Sequence, residues 1–268
     1  MQKASNNLPW TSEHGSVFLA QVIKIERKDM VCTGLDMEFV EDFYSTLQAY
    51  NEAVLPITII TYLLGIFAIY LALKKSNNSS KMISAVLSFL WIWSGVVFFI
   101  IFFGPMEAEF LSQTMSGIWY LGGVLFIVQG ILFLIFEVAR DSPSFKMASD
   151  GNSVFGVILI TYAMIIYPII GFLTGFSYPR YPVFGTGPCP LTIFTLGFLQ
   201  WADRKMPIVI AIIPFIWSLM GIMPILELNV WADVGEMLSG IIGFPLILYH
   251  SSKLSKSKKR AKLKVSTK

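Results

Sequence analysis

Apolar residues fall in long unbroken runs along most of this chain, and the runs stop at charges, glycines or prolines. Seven such segments follow Glu52: about Val54–Leu73, Met82–Phe103, Ile118–Val138, Val154–Phe176, Pro190–Trp201, Pro207–Leu226 and Val234–Tyr249. The longer ones match the ~20 residues a helix needs to cross a hydrocarbon core of about 30 Å. Lipid offers no partner to an unpaired backbone N–H or C=O, so each run predicts a helix. The segment near Pro190–Trp201 stands apart. It is short, and it comes after a proline- and glycine-rich loop from Tyr178 to Gly187. A helix from Pro188 to Trp201 would extend only about 21 Å at ~1.5 Å per residue. It crosses only if the preceding loop dips into the bilayer, where irregular backbone must be buried in protein or line a wet cavity. Broken helices of this kind are where transporters place their sites.

Ahead of the runs, Met37–Glu52 carries Phe39, Val40, Phe43, Tyr44, Leu47 and Tyr50 at helical period, with Glu38, Glu41, Asp42 and Gln48 opposite. This predicts a short amphipathic helix in the interface. Its acidic polar face disfavours anionic lipid, so packing on the bundle is expected. Residues 1–36 are polar, without clear period, and lack the layout of a secretory signal. They read as a disordered extension, with Met30 and Met37 both standing as candidate starts. The expected architecture is an all-α polytopic membrane bundle. It has about seven transmembrane helices, one of them short and broken after the Pro/Gly loop, plus the N-terminal interfacial helix. Residues 37–250 form the transmembrane domain and 251–268 a basic cytoplasmic tail.

Composition agrees with this pattern. Hydrophobic residues make up 55% and charged residues 14%, with mean hydropathy +0.66. Soluble domains carry about 25% charge. Basic residues set the orientation. Lys74, Lys75 and Lys81, then Arg140 and Lys146, then Arg204 and Lys205, and finally the tail from Lys253 all share one side if every segment crosses. Glu107, Glu109, Glu227 and Asp233 lie opposite, with Arg180. This places the N-terminus outside and the C-terminus in the cytoplasm of a cell (inner) membrane. Were the short segment re-entrant, the basic tail would switch sides and the charge rule would fail.

Candidate chemistry is sparse. Cys189 sits between Pro188 and Pro190, at the expected N-terminus of the short helix. Free N–H groups and the helix dipole there favour an anion or a reactive thiol; the plainer reading is a small buried residue in a proline turn. Gly185 and Gly187 permit close backbone approach, although Gly-x-Gly alone is no phosphate loop. Glu236 lies about one turn inside the outer interface of the last segment, where an intramembrane acid is a functional candidate, or simply an interfacial one. Asn51, at the outer end of the first span, could join it. Gln129 belongs to a stripe with Gly122, Gly123 and Gly130, best read as packing, since a mid-membrane amide seeks a partner. Glu137 is placed to pair with Arg140.

Cys32 and Cys189 make no disulfide framework, and His14 and His250 are too few for a histidine-based metal or haem site. The sequence implies no cofactor and no nucleic acid. The expected partners are membrane lipids, including anionic lipid at the basic tail, and a small solute or ion.

The fragment FGTGPCPLTIFTLG, Phe184–Gly197, resembles the signature of a family of small prokaryotic multi-pass membrane proteins of unknown function. The stretch FYSTLQAYNEAVLP, Phe43–Pro56, is similar to that family's start, including Tyr50 and Asn51. The resemblance covers about Met37 to His250 and implies a fold and a membrane location; it brings no activity. Three functions therefore stand side by side. One is a transporter or channel for a small solute or ion, with an outward-facing cavity at the Pro188–Cys189–Pro190 loop. Another is a structural or accessory membrane subunit. The third is a thiol-dependent membrane enzyme or redox protein using Cys189, for which neither histidine is placed as a base.

Overall fold

The computed structural model describes residues 37–74, 78–110, 113–115, 117–138, 145–147, 150–203 and 206–266. The N-terminal extension and the Glu137–Arg140 pair lie outside the described residues and side chains.

Helix α1, Met37–Ala53, buries Val40, Tyr44, Leu47, Tyr50 and Asn51 and exposes Glu38, Glu41, Asp42 and Glu52. It packs on the bundle as expected, and the Tyr44 hydroxyl donates to Leu228 O at 2.7 Å. Helix α2, Leu55–Lys74, is next. Helix α3, Ser79–Trp93, continues as a π-helix over Ser94–Phe103. A two-stranded hairpin succeeds it, β1 Ala108–Phe110 antiparallel to β2 Gln113–Met115. Helix α4, Ile118–Phe133, passes into π turns to Val138. Helix α5, Gly151–Thr161, passes through a π turn, Tyr162–Ile166, into α6, Tyr167–Leu173. Helix α7 is Pro188–Leu199, α8 Val209–Met220, α9 Ile222–Leu228 and α10 Asp233–Ser266. The fold is an all-α bundle; the hairpin and the π segments leave no pattern in the sequence.

Among the described residues, five helical stretches are long and apolar enough to cross a membrane: Leu55–Lys74, Ser79–Phe103, Ile118–Phe136, Gly151–Leu173 and Val209–Leu228. These five are among the seven expected segments; the other two are the short helix α7 and the apolar first part of α10. Helix α7 has 12 residues. Helix α10 opens on two acids and runs 34 residues into the basic tail, whose Ala, Leu, Lys and Arg are good helix formers. Protein covers 33% of the apolar window in four of the five stretches and 56% in Ser79–Phe103. The uncovered faces carry Leu63, Ile66, Phe172 and Leu173, which is the surface lipid would cover.

The short helix is the centre of the molecule. Every residue from Val183 to Ala202 is buried. Helix α7 packs against α5 and its π turn, α8 and α10, and touches α3. Gly156 and Gly197 let α5 and α7 meet backbone to backbone: a Cβ on Gly156 would lie 2.7 Å from Gly197 O, and one on Gly197 would lie 3.0 Å from Gly156 O. Small residues permit such contact where lipid supplies no hydrophobic force between helices.

The two ends of α7 meet opposite ends of the bundle. Before its start, Thr186 O accepts from the Tyr50 hydroxyl of α1 at 2.9 Å. Beyond its end, Trp201 O accepts from Lys146 N at 2.8 Å, and Lys146 pairs with Asp203 at 3.5 Å. Phe145 N is held by Ser80 Oγ at 2.9 Å and Met206 N by Ser251 Oγ at 3.3 Å. The chain therefore passes from the α1 end to the end shared by Ser80, Phe145 and Ser251. Its helical part spans ~18 Å, and the buried loop supplies the rest.

Prolines interrupt these helices, and side chains from neighbours satisfy the carbonyls left without donors. Pro214 offers no N–H to Ile210 O, which accepts from Gln129 Nε2 at 2.9 Å. Pro168 offers none to Met164 O, which faces the Tyr62 hydroxyl at 3.4 Å. Pro188 and Pro190 sit in the first turn of α7, where no intrahelical N–H bond is lost. Trp91 is fully buried and donates to Thr195 Oγ1 at 2.9 Å.

Candidate buried thiol and carboxylate site

Cys189 is the second residue of α7, after the N-cap Gly187 and Pro188. Asp233 and Glu236 lie in the first turn of α10, and their spacing of three puts both carboxyls on one face. These three side chains converge: the Cys189 sulfur and one oxygen of each carboxylate all lie within 4.8 Å of one another. Asp233 is 1% exposed, Glu236 0% and Cys189 9%.

A third element completes the group. The π turn at Tyr162–Ile166 rotates the helical residues beyond it, and such turns recur at functional sites. Tyr167, the first residue past the turn, is buried and donates to Asp233 Oδ1 at 2.6 Å. Tyr162 donates to Ala232 O at 2.8 Å. Gly235 of α10 leaves the space that the Tyr162 ring fills, and Gly171 does the same for Tyr181. The ring centroids of Tyr167 and Tyr181 are 5.5 Å apart.

Among the described residues the remaining oxygens have the Cys189 thiol close by as a donor and no cationic side chain. Asp233 Oδ2, Glu236 Oε1 and Glu236 Oε2 are buried without a hydrogen bond. Among the described residues neither acid forms an ion pair. Glu236 sits in the notch where the chain breaks between α8 and α9: a Cβ on Gly221 would lie 2.9 Å from Glu236 Oε2. An isolated buried carboxylate is strongly unfavourable unless it is neutralised or coordinates a cation. Each acid is therefore stable here only with a proton or another cation on it.

Several candidates read from the sequence belong here, and others do not. Cys189 and Glu236 come together, and Pro188 and Pro190 shape the turn that presents the thiol. The start of this helix is poor in donors for an anion. Pro188 and Pro190 have no N–H, so Cys189 alone supplies a donor among the first three positions, and the groups facing it are themselves acids. Glu236 is fully buried in the protein. Gly185 has φ +80° and lies against Thr61, where a side chain would be both strained and blocked. Gly187 is the N-cap. Asn51 does not reach the acids. It holds the loop above them, donating from Nδ2 to Pro179 O at 2.6 Å and to Tyr181 O at 2.9 Å. Gln129 serves α8 packing. Asp233 shares a helical face with Glu236 in the sequence and reads there as an acid of the outer rim; Tyr167 is the hidden member, lying in an apolar run that the π turn re-aims.

One family model matches the chain, over residues 40–258, and its description is Family of unknown function (DUF6064). No curated protein and no solved structure matches.

Proposed function

The chain belongs to DUF6064, a family of unknown function, and with no inherited activity to build on we propose from its geometry that it is a membrane protein carrying a small cation through its bundle. The observation that supports this most is the pair Asp233 and Glu236, buried with three of their oxygens unpartnered. Ionisable residues inside a membrane bundle are expensive to place and mark ion pathways and proton relays. Here they stand where three interrupted stretches meet: the proline-opened start of α7, the break at Gly221 and the π turn before Tyr167. Discontinuous helices are how carriers place ion sites inside a bundle. The distribution of lysine and arginine supports a cytoplasmic C-terminus in the cell membrane, with the loop above Cys189 on the outer side.

Purified protein in liposomes tests the reading. The wild type should carry a proton, monovalent or divalent cation flux above protein-free vesicles. Glu236→Gln and Asp233→Asn, which keep shape and remove charge, should each reduce it tenfold or more. Wild-type protein that moves no cation would sink the proposal.

A further inference from the structure

The geometry points to a thiolate-binding divalent metal ion of the zinc class as the cation, held by Cys189, Asp233 and Glu236; this rests on the cation reading above and deepens it. A proton or a monovalent cation needs carboxylates but gains nothing from a sulfur. Calcium takes six to eight oxygens, and magnesium a near-octahedral set. The unspent oxygens here are Asp233 Oδ2 and the two of Glu236, because Tyr167 already occupies Asp233 Oδ1. That is too few for a hard ion without many waters, and every side chain of the group is buried. One sulfur and two carboxylates suit a borderline ion, since thiolate ligands select zinc-like metals over magnesium and calcium.

The spacing agrees. An ion holding tetrahedral ligands at ~2.0–2.3 Å sets them roughly 3.3–3.7 Å apart. The sulfur and both carboxylates are already within 4.8 Å of one another, so side-chain rotation alone closes the set. Three protein ligands leave a fourth position open, as in sites that exchange what they hold. Binding releases the thiol proton; one thiolate and two carboxylates then face the divalent ion, leaving a single negative charge, toward which the Tyr167 hydroxyl donates at Asp233 Oδ1.

Cobalt(II) is the probe, in a Cys32→Ser background so that Cys189 is the single thiol. Chelator-stripped protein in detergent is loaded with Co²⁺ alone, then analysed for metal and by absorption. The expected result is about one Co²⁺ per chain with a near-ultraviolet sulfur-to-cobalt charge-transfer band, both displaced by Zn²⁺. Cys189→Ser should lose the band while keeping the helical circular dichroism. Glu236→Gln should weaken Co²⁺ binding tenfold or more. Absence of stoichiometric Co²⁺, or Co²⁺ bound without the band, overturns the inference. The two readings fail separately. Glu236-dependent flux of protons or monovalent ions with no cobalt band removes the metal and leaves carriage standing. A cobalt band with no flux of any cation in liposomes removes carriage and leaves the metal site.

Discussion

The Tyr167 hydroxyl donates to Asp233 Oδ1 at 2.6 Å across 66 residues of sequence, and that bond fixes which carboxylate oxygen stays free. With Oδ1 occupied, Oδ2 remains for a ligand. Tyr167→Phe removes the donor and leaves a second buried oxygen unpaired. Hydrogen bonds to charged groups contribute about 1.5–3 kcal/mol. Unfolding in detergent should show a loss in that range. An unchanged melting temperature would mean the bond is unimportant.

The contact between α5 and α7 is equally open to test. Gly156→Ala or Gly197→Ala drives a methyl into the facing backbone, and overpacking of this kind costs about 1–3 kcal/mol. Gly151→Ala is the control, because a Cβ there meets nothing within 4 Å. The first two should melt lower than wild type and the third should not.

Gln129→Leu should lower stability by about 1–3 kcal/mol, by stripping Ile210 O of its donor. It should leave cation flux and selectivity intact, since the amide serves α8 rather than the acids. A change in selectivity would return Gln129 to the functional site.

At the other end, Asp150 caps α5, accepting from Ser153 N at 2.9 Å. Partial burial pushes its carboxyl up, but the Ser153 N–H and hydroxyl, with His250 and Lys253 nearby, outweigh this and hold it below the ordinary 3.8. Asp150→Ala should destabilise by about 1 kcal/mol near neutral pH. A lowered folded value means the ionised cap contributes fully above 3.8 and is lost as pH falls through the folded value. The difference between variant and wild type should therefore shrink below about pH 4.

Much of this architecture is legible in the residues taken in order. Unbroken apolar runs fix helices because lipid forbids unpaired backbone, and the alternation in Met37–Glu52 names the face that α1 buries. The Pro188–Cys189–Pro190 stretch announces an interrupted helix start. The features that stay hidden have physical causes. A π turn inserts one residue per turn without altering hydrophobicity, so Tyr162–Ile166 looks like any apolar helix and the inward aim of Tyr167 is invisible. Asp233 opens a helix that begins after a polar turn, where an acid normally faces water and serves the dipole. Its burial depends on Tyr167 and Cys189 arriving from 66 and 44 residues upstream, the differences between position 233 and positions 167 and 189, and no local pattern carries that. Gln129 is the reverse case: a polar residue in a membrane run, read from its glycine stripe as packing, answers a missing proline N–H.

If Asp233 and Glu236 are kept for a cation rather than for the fold, the empty protein gains nothing from holding them uncompensated. Thermal unfolding of wild type and Glu236→Gln, each stripped of metal and then titrated with Zn²⁺, separates the two cases. The stripped variant should melt no lower than stripped wild type. Zn²⁺ should raise the wild type by about 2.7 kcal/mol at a hundredfold excess over its Kd, and the variant by no more than about half of that. A stripped variant that melts well below wild type, with Zn²⁺ shifting neither, would make Glu236 a structural residue and contradict the cation site.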